Sequence, residues 1–474
     1  MPFDDLREYL AALRAADHLV EVEGEVDWDL ELGAIARRVA ERDGPPIWFK
    51  TIKDYPEHSV LAHPLTTWRC AAVALGLPPD AGPRQVHQTW AEREARPIAP
   101  ELVGAGVCQQ NVVTGDRVDL ADLPAPMLHE GDGGRFLGTW DLVVSQDPVS
   151  GETNWGVYRF MVHDERTLTG APRPASGLGK VLRQHYLPRG EPMPIAIVLG
   201  ADPLAHAAAA AIARLADEPS HAGGLRGAAM RLCKAVTSDL LVPATAEMVI
   251  EGEILPDRIA REGPYGEYTG YRIAETDYGV LVNVKAITYR DHPIHTTDCT
   301  GFKDGATLAS GVTLAIGIRR ALEARGLPVV EVNVPAEGAH HIAIISVSQG
   351  GPEVTQGVLE VVAARFGTTP KLLVVDDDVD VFNWDEVLHT WATRCHPGRG
   401  IFVTHYSGHA KKLIPYLSKE ERATLSGATV AFDCTWPPAW DRVTELPAKN
   451  FFQTVYPPAI QQRVLDRWAE LGLP

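Results

Sequence analysis

The chain has 474 residues, 45% of them apolar and 22% charged, and 62 acidic against 44 basic side chains leave a net charge of −18. That length predicts two or three soluble domains, and the acidity argues against nucleic acid or an anionic membrane surface as a partner, since both select a basic face. No apolar run approaches a membrane span, the acidic start Met1-Pro2-Phe3-Asp4-Asp5 is unlike a signal peptide, and the six scattered cysteines form no Cys-x-x-Cys pair, which fits reduced thiols in a cytoplasm.

Leu6, Tyr9, Leu10, Leu13 and Leu19 form an apolar stripe that predicts a helix over 4–19. From about 100 to 300 the signal is mostly strand, with β-rich runs at 194–200 and 278–289 closed by Gly, Asp or Pro. An alanine-rich stretch at 205–215 reads as a helix between them. The character changes near 305. A long helix over 306–325 leads to strands at 329–334 and 342–348, a helix at 354–366, a strand at 371–375 and a helix at 384–394. Asn383 and Glu386 are placed as a capping box for that last helix. The alternation predicts an α/β layer with a partly parallel sheet. After a proline-rich tether (Pro437, Pro438, Pro447, Pro457, Pro458), the final 15 residues read as a short amphipathic helix.

The most informative stretch is Arg261-Glu262-Gly263-Pro264-Tyr265-Gly266-Glu267-Tyr268-Thr269-Gly270-Tyr271-Arg272. Pro264 fixes φ, and Gly263 and Gly266 permit angles closed to other residues, so this turn can aim Glu262 and Glu267 into one small space. Two carboxylates that close cannot both ionise freely, and one is expected to hold a proton near neutral pH. Three tyrosines and the preceding apolar run Met248-Val249-Ile250 set the turn apart from a plain surface loop. Upstream, Asn154-Trp155-Gly156-Val157-Tyr158-Arg159 places an amide and a guanidinium five residues apart on a strand-edge segment, and Glu218 is expected in a turn before Gly223 and Gly227.

In order and spacing, these features resemble the UbiD family of decarboxylases that use prenylated FMN. The resemblance runs through Met161-Val162-His163-Asp164, Leu168-Thr169-Gly170, Leu199-Gly200-Ala201-Asp202-Pro203, Val242-Pro243-Ala244 with Glu247, Val375-Asp376-Asp377-Asp378-Val379-Asp380 and Ala392-Thr393-Arg394, and so covers essentially the whole chain. It implies an α/β (α+β) architecture: a split-barrel-like flavin-binding β domain with flanking helices over 1–305, an α/β oligomerisation domain over 306–415, and a C-terminal extension and helix over 416–474. By position it implies Arg159, Glu262 and Glu267 as a catalytic trio. Asn154, Trp155, Gly156, Val157, Tyr158, Arg159, Glu218 and Lys371 are implied as cofactor contacts. Asn154 and Glu218 would hold the Mn2+ or Mg2+ that ties the cofactor phosphate to the protein, and K+ is allowed as a further ion. The family's third ligand is usually histidine, but counting back from Pro194 that position falls on Ser176. The ion is therefore expected to be weaker, more hydrated, or completed by Ser176 and water. His185 is nearby but out of register, and reads as a surface histidine.

The chemistry agrees with the resemblance. Removing CO2 from an sp2 carbon leaves an electron pair in the molecular plane, where no side chain can take it, so a covalent electron sink is required. In the family the prenylated flavin offers an electrophilic iminium carbon that bonds the substrate. Glu267 would then protonate the product carbon, while Arg159 pairs with Glu262 and helps set the substrate carboxylate. The substrate class is an aromatic, heteroaromatic or α,β-unsaturated acid, with a pocket edged by Cys299-Thr300-Gly301-Phe302-Lys303. A flavin prenyltransferase would supply the cofactor. The apolar strands of the second half imply at least a homodimer, centred on 311–410, with the C-terminal helix packing across. Two other readings exist: a non-catalytic flavin-binding or cofactor-maturation protein, and a metal hydrolase built on Asp376–Asp380 with His340 and His341. The second lacks a His-Glu-x-x-His spacing.

Overall fold

Two long antiparallel strands, Met248–Glu262 and Thr276–Tyr289, form the spine of the computed structural model, which describes residues 3–211, 217–273, 276–367, 369–408, 413–441 and 443–473. They pair from Met248↔Tyr289 to Glu262↔Thr276, so Glu262 closes the ladder and the Gly263–Gly270 turn lies beyond its end. Met193–Leu199 pairs on the other side of Met248–Glu262. Its apolar run is explained by burial on both faces: Ile195, Ile197 and Leu199 enter one core, Ala196 and Val198 another.

The path through this sheet runs Thr153–Gly156, Leu142–Gln146, Met193–Leu199, Met248–Glu262, Thr276–Tyr289, Thr167–Gly170 and Phe160–Val162, with Asn111–Thr114 joining as a branch. The first and last strands of that path are sequence neighbours, separated only by Val157, Tyr158 and Arg159. Laid flat, seven strands would hold their edges about 29 Å apart, while four Cα steps span at most about 14 Å. The sheet must therefore curl into an open half-barrel. Residues 157–159 cross its mouth, which is how Arg159 comes to stand there.

A smaller sheet of Val20–Val26, Ile47–Ile52, Ser59–Ala62 and Ile294–Thr297 flanks the barrel, with the helices Leu6–Ala15 and Glu31–Ala40 nearby in sequence. The predicted first helix is present, capped by the Asp5 side chain on Glu8 N. The alanine-rich helix starts at Pro203, where Asp202 caps it, and ends at Ala209; of the predicted stretch 205–215, residues 212–215 lie outside the described residues.

The long helix Gly305–Ala324 leads into a five-stranded sheet ordered Val329–Asn333, Ile342–Val347, Lys371–Asp376, Gly427–Cys434, Ile401–Tyr406. Its three central strands are parallel and its edges antiparallel, the partly parallel layer expected. Gly427–Cys434 pairs in parallel with Lys371–Asp376, so this layer reaches past the bound at 415 drawn from the sequence. The capping box at Trp384–Arg394 is half formed. Asn383 accepts from Glu386 N, but the Glu386 carboxylate takes Lys449 at 2.7 Å instead. The acid run is structural: Asp376 accepts Trp436 N at 2.7 Å, and Asp378 holds Arg394 and Lys449. The last helix is Pro458–Asp466, and none of its residues is buried. Among the described residues no helix is long and apolar enough to cross a membrane.

Candidate active site

The curl of the sheet brings Arg159, Glu262 and Glu267 together. Arg159 grips Glu262 with two bonds, Nε to Oε1 at 2.6 Å and Nη2 to Oε2 at 2.8 Å, and its Nη1 donates to Glu267 Oε1. Only 0% of the Glu262 side chain and 7% of Glu267 are exposed, against 18% of Arg159. Burial works against the charge of Arg159, yet Glu267 and Glu262 hold its pKa above the ordinary value. The two carboxylates thus do not face each other, as the sequence suggested. A permanently charged fork stands between them.

The turn is fixed from several sides. Tyr265 is buried, with its ring 4.8 Å from the Arg159 guanidinium carbon and 4.5 Å from Phe136. Thr300 Oγ1 lies within hydrogen-bonding distance of both Tyr265 Oη (2.7 Å) and Gly266 O (2.5 Å), which ties the turn to the 299–303 loop. Gly133 N donates to Pro264 O at 2.7 Å. A Cβ on Gly133 would fall 2.0 Å from Gly263 O, so only glycine permits this approach. Arg37 anchors the far side of the loop by donating to Cys299 O at 2.7 Å.

The predicted cation ligands sit at the other side of the barrel mouth. Asn154 lies on the edge strand Thr153–Gly156, and its Oδ1 packs so closely on Gly177 that a Cβ there would meet it at 1.7 Å. Glu218 is not in a turn. It opens the helix Glu218–Arg226, capped by Asp217, and its Oε2 accepts from Trp155 N at 3.3 Å. Tyr158 joins this group: its hydroxyl accepts Leu178 N at 3.0 Å, and burial raises its pKa against the opposing pull of bonds that include Ser176 and Asn154. Two buried or half-buried oxygens, one carboxylate and one amide, suit a hard cation. Ser176 suits it less. Its hydroxyl donates to Arg173 O at 2.6 Å and accepts Gly179 N at 3.2 Å, as the cap of the helix Gly177–Val181.

Val157 and Tyr158 complete the crossing, and Trp155 and Gly156 are buried in the strand that precedes it. Lys371 belongs to the second layer, where its ammonium lies 4.6 Å over the Tyr416 ring. His185 pairs with Asp147 at 3.3 Å. Sequence reasoning missed His129 and Asp132, which sit against the glutamate turn. The signal was available in Glu130-Gly131-Asp132-Gly133-Gly134, whose glycines mark a close backbone approach.

Known proteins resemble this chain along almost its whole length. Residues 101–302 match the 3-octaprenyl-4-hydroxybenzoate carboxy-lyase Rift-related domain, 10–90 the N-terminal domain of that family and 307–434 its C-terminal domain. A pyrrole-2-carboxylic acid decarboxylase of Pseudomonas aeruginosa is 35% identical over 490 residues, covering 99% of this chain and 98% of that one. The UbiD-class enzyme HmfF from Pelotomaculum thermopropionicum, solved with FMN, superposes with a TM-score of 0.86 at 25% identity, covering 98% of this chain and all of that one. An evolved dimeric form of HmfF, solved with prFMN, gives a TM-score of 0.80 at 26% identity over 94% of this chain and 97% of that one.

Proposed function

The chain belongs to the UbiD family of carboxy-lyases, and from that premise we propose that it decarboxylates a small (hetero)aromatic or α,β-unsaturated acid with prenylated FMN. The observation that carries this reading is the half-buried Arg159 fork between the buried Glu262 and Glu267 at the mouth of the half-barrel. A protein that only bound or matured the cofactor would have no use for it, because two buried acids held on one guanidinium serve proton delivery rather than flavin affinity. Bound there, the cofactor supplies the electrophilic carbon that accepts the electron pair left by CO2.

The residues of the chain do the rest. Arg159, kept cationic by both acids, faces the substrate carboxylate and orients it. Glu262, gripped by two bonds, stays in place as the counter-charge. Glu267, held by a single Arg159 bond, is the group free to swing, take a proton from solvent and hand it to the product carbon. Asn154 and Glu218 would hold the divalent ion, Mn2+ or Mg2+, at the cofactor phosphate. With the Ser176 hydroxyl engaged in its helix cap, water would supply the rest of that ion's ligands. The similarity to a pyrrole-2-carboxylic acid decarboxylase over almost the whole chain supports five-membered heteroaromatic acids as the first substrates to test. A homodimer built through the second layer is part of the same reading.

The test is co-expression with a flavin prenyltransferase, followed by a visible spectrum and a screen for CO2 release and for H/D exchange at the product carbon. Acids of the pyrrole, benzoic and acrylic types form the panel. A flavin band with turnover of at least one acid is expected; a flavin band without CO2 release or exchange from any of them refutes the proposal.

A further inference from the structure

A half-buried His129 and a buried Asp132 form a pair that no step of the reaction above uses. The Asp132 side chain is fully buried, and its two oxygens have separate tasks. Oδ1 accepts the backbone N–H of Gly266 at 3.0 Å, the residue immediately before Glu267. Oδ2 faces His129 Nδ1 at 2.9 Å. The other ring nitrogen, Nε2, faces the carbonyl oxygen of Thr300 at 3.0 Å. A carboxylate and a carbonyl only accept, so satisfying both bonds requires a proton on each ring nitrogen. The arrangement describes an imidazolium clamped between the glutamate turn and the 299–303 loop.

The surroundings fit that charge. Cys299 Sγ lies 3.4 Å from Nε2 and directs its own hydrogen to Gly33 O at 3.4 Å. The Tyr265 ring stands edge-on at 6.3 Å. Of the cations on neighbouring elements, Arg37 donates to Cys299 O, Arg272 donates to Glu130 O, and Arg159, on the far side of Tyr265, is paired with Glu262 and Glu267. Burial opposes the charge on His129, but the contacts with Asp132 and with the Cys299 sulfur outweigh it and hold the imidazole above its ordinary value.

We propose that Asp132 and His129 are positioning residues for Glu267: the ion pair pins the Gly266 amide and the Thr300 carbonyl, and so locks the proton-delivering turn to the loop that edges the pocket. This rests on the decarboxylase reading for its consequence, though not for its geometry. A neutral His129 would set the Nε2 lone pair against the Thr300 oxygen, or leave Asp132 without its counter-charge. Either loosens the turn at the residue next to Glu267.

The experiment uses the full-length cofactor-loaded protein and the variants Asp132→Asn and His129→Gln, with three readouts. Nitrogen-15 NMR of the His129 ring should show two protonated nitrogens at pH 7 in the wild type, and one in Asp132→Asn. Hydrogen exchange of the 263–271 segment should accelerate in both variants, while exchange in the second layer stays unchanged. kcat should fall about ten- to a hundredfold with little change in KM and with full flavin occupancy, as a misplaced acid demands. A neutral wild-type ring, or variants with wild-type exchange and wild-type kcat, overturns the proposal. If no acid is turned over by the wild type but the ring and exchange results stand, the decarboxylase reading has failed and the pinning of the turn has held. Should one variant fail to fold, the other and the wild-type ring state still decide.

Discussion

Arg159 is the residue whose removal tests the site most directly. Arg159→Ala deletes a guanidinium that makes three bonds to two acids, one wholly buried and the other 7% exposed. Removing one partner of such a buried arrangement costs about 3–5 kcal/mol, because the remaining charges are stranded away from water. For a protein of this size that is a fall in melting temperature of about 3–5 °C. Since the wild-type fork is only 18% exposed, solvent screening takes little of this back. The assay is differential scanning of the apo protein from pH 5 to 8, beside kcat and KM of the loaded enzyme. The deficit should be largest at high pH and shrink toward pH 5, where a proton can neutralise a stranded carboxylate. kcat should fall at least about a hundredfold. Arg159→Lys keeps one charge but cannot chelate Glu262, and should recover part of the stability and little of the rate. A variant lacking the guanidinium that melts within about 1 °C of wild type and keeps its kcat and KM would remove Arg159 from the site.

Glu267→Gln should retain flavin while kcat drops about a hundredfold or more, since an amide cannot deliver the proton; near-normal turnover would mean another group is the acid. Glu218→Ala should instead lower flavin stoichiometry after gel filtration in chelator, and full occupancy with slow chemistry would contradict its assignment to the ion. Gly133→Ala drives a Cβ to 2.0 Å from Gly263 O, so the turn must shift; a loss of about 1–3 kcal/mol and of most activity is expected, and a wild-type profile would show the approach to be looser than described. Asp304 caps the helix Gly305–Ala324, and burial, with Asp298 nearby, raises its carboxyl from 3.8 to about 7. A raised acid stabilises the fold while protonated, so its contribution is present at acid pH and lost as pH climbs from about 4 to about 7. Asp304→Asn keeps the cap without titrating and should flatten the melting temperature across that window; an unchanged slope would place the titration elsewhere.

What could be read from the sequence was local, and what could not was set by closure of the sheet. The strands at Met193–Leu199 and Ile342–Val347 were legible because their apolar runs are buried on two faces, and the long helix Gly305–Ala324 because of its length and stop at Gly326. The glutamate turn was legible because Gly-Pro-Tyr-Gly dictates a fold-back. Its electrostatics were legible only through the family resemblance, which already paired Arg159 with Glu262. Two acids five residues apart look like a mutually repelling pair until Arg159 arrives from about a hundred residues upstream, and nothing local to the turn announces that arrival. Only the curl of the half-barrel, which forces residues 157–159 across the mouth, puts the guanidinium between them. Ser176 shows the converse. Counting along the chain put it at the family's third-ligand position, but its hydroxyl donates to Arg173 O and accepts from Gly179 N, a cap that no count could see. Asp132 fell between these cases, since its glycine-rich neighbourhood marked a close approach without saying to what. A residue type at the right position is therefore necessary for a role here, and the hydrogen bonds that it has already spent decide whether it is available.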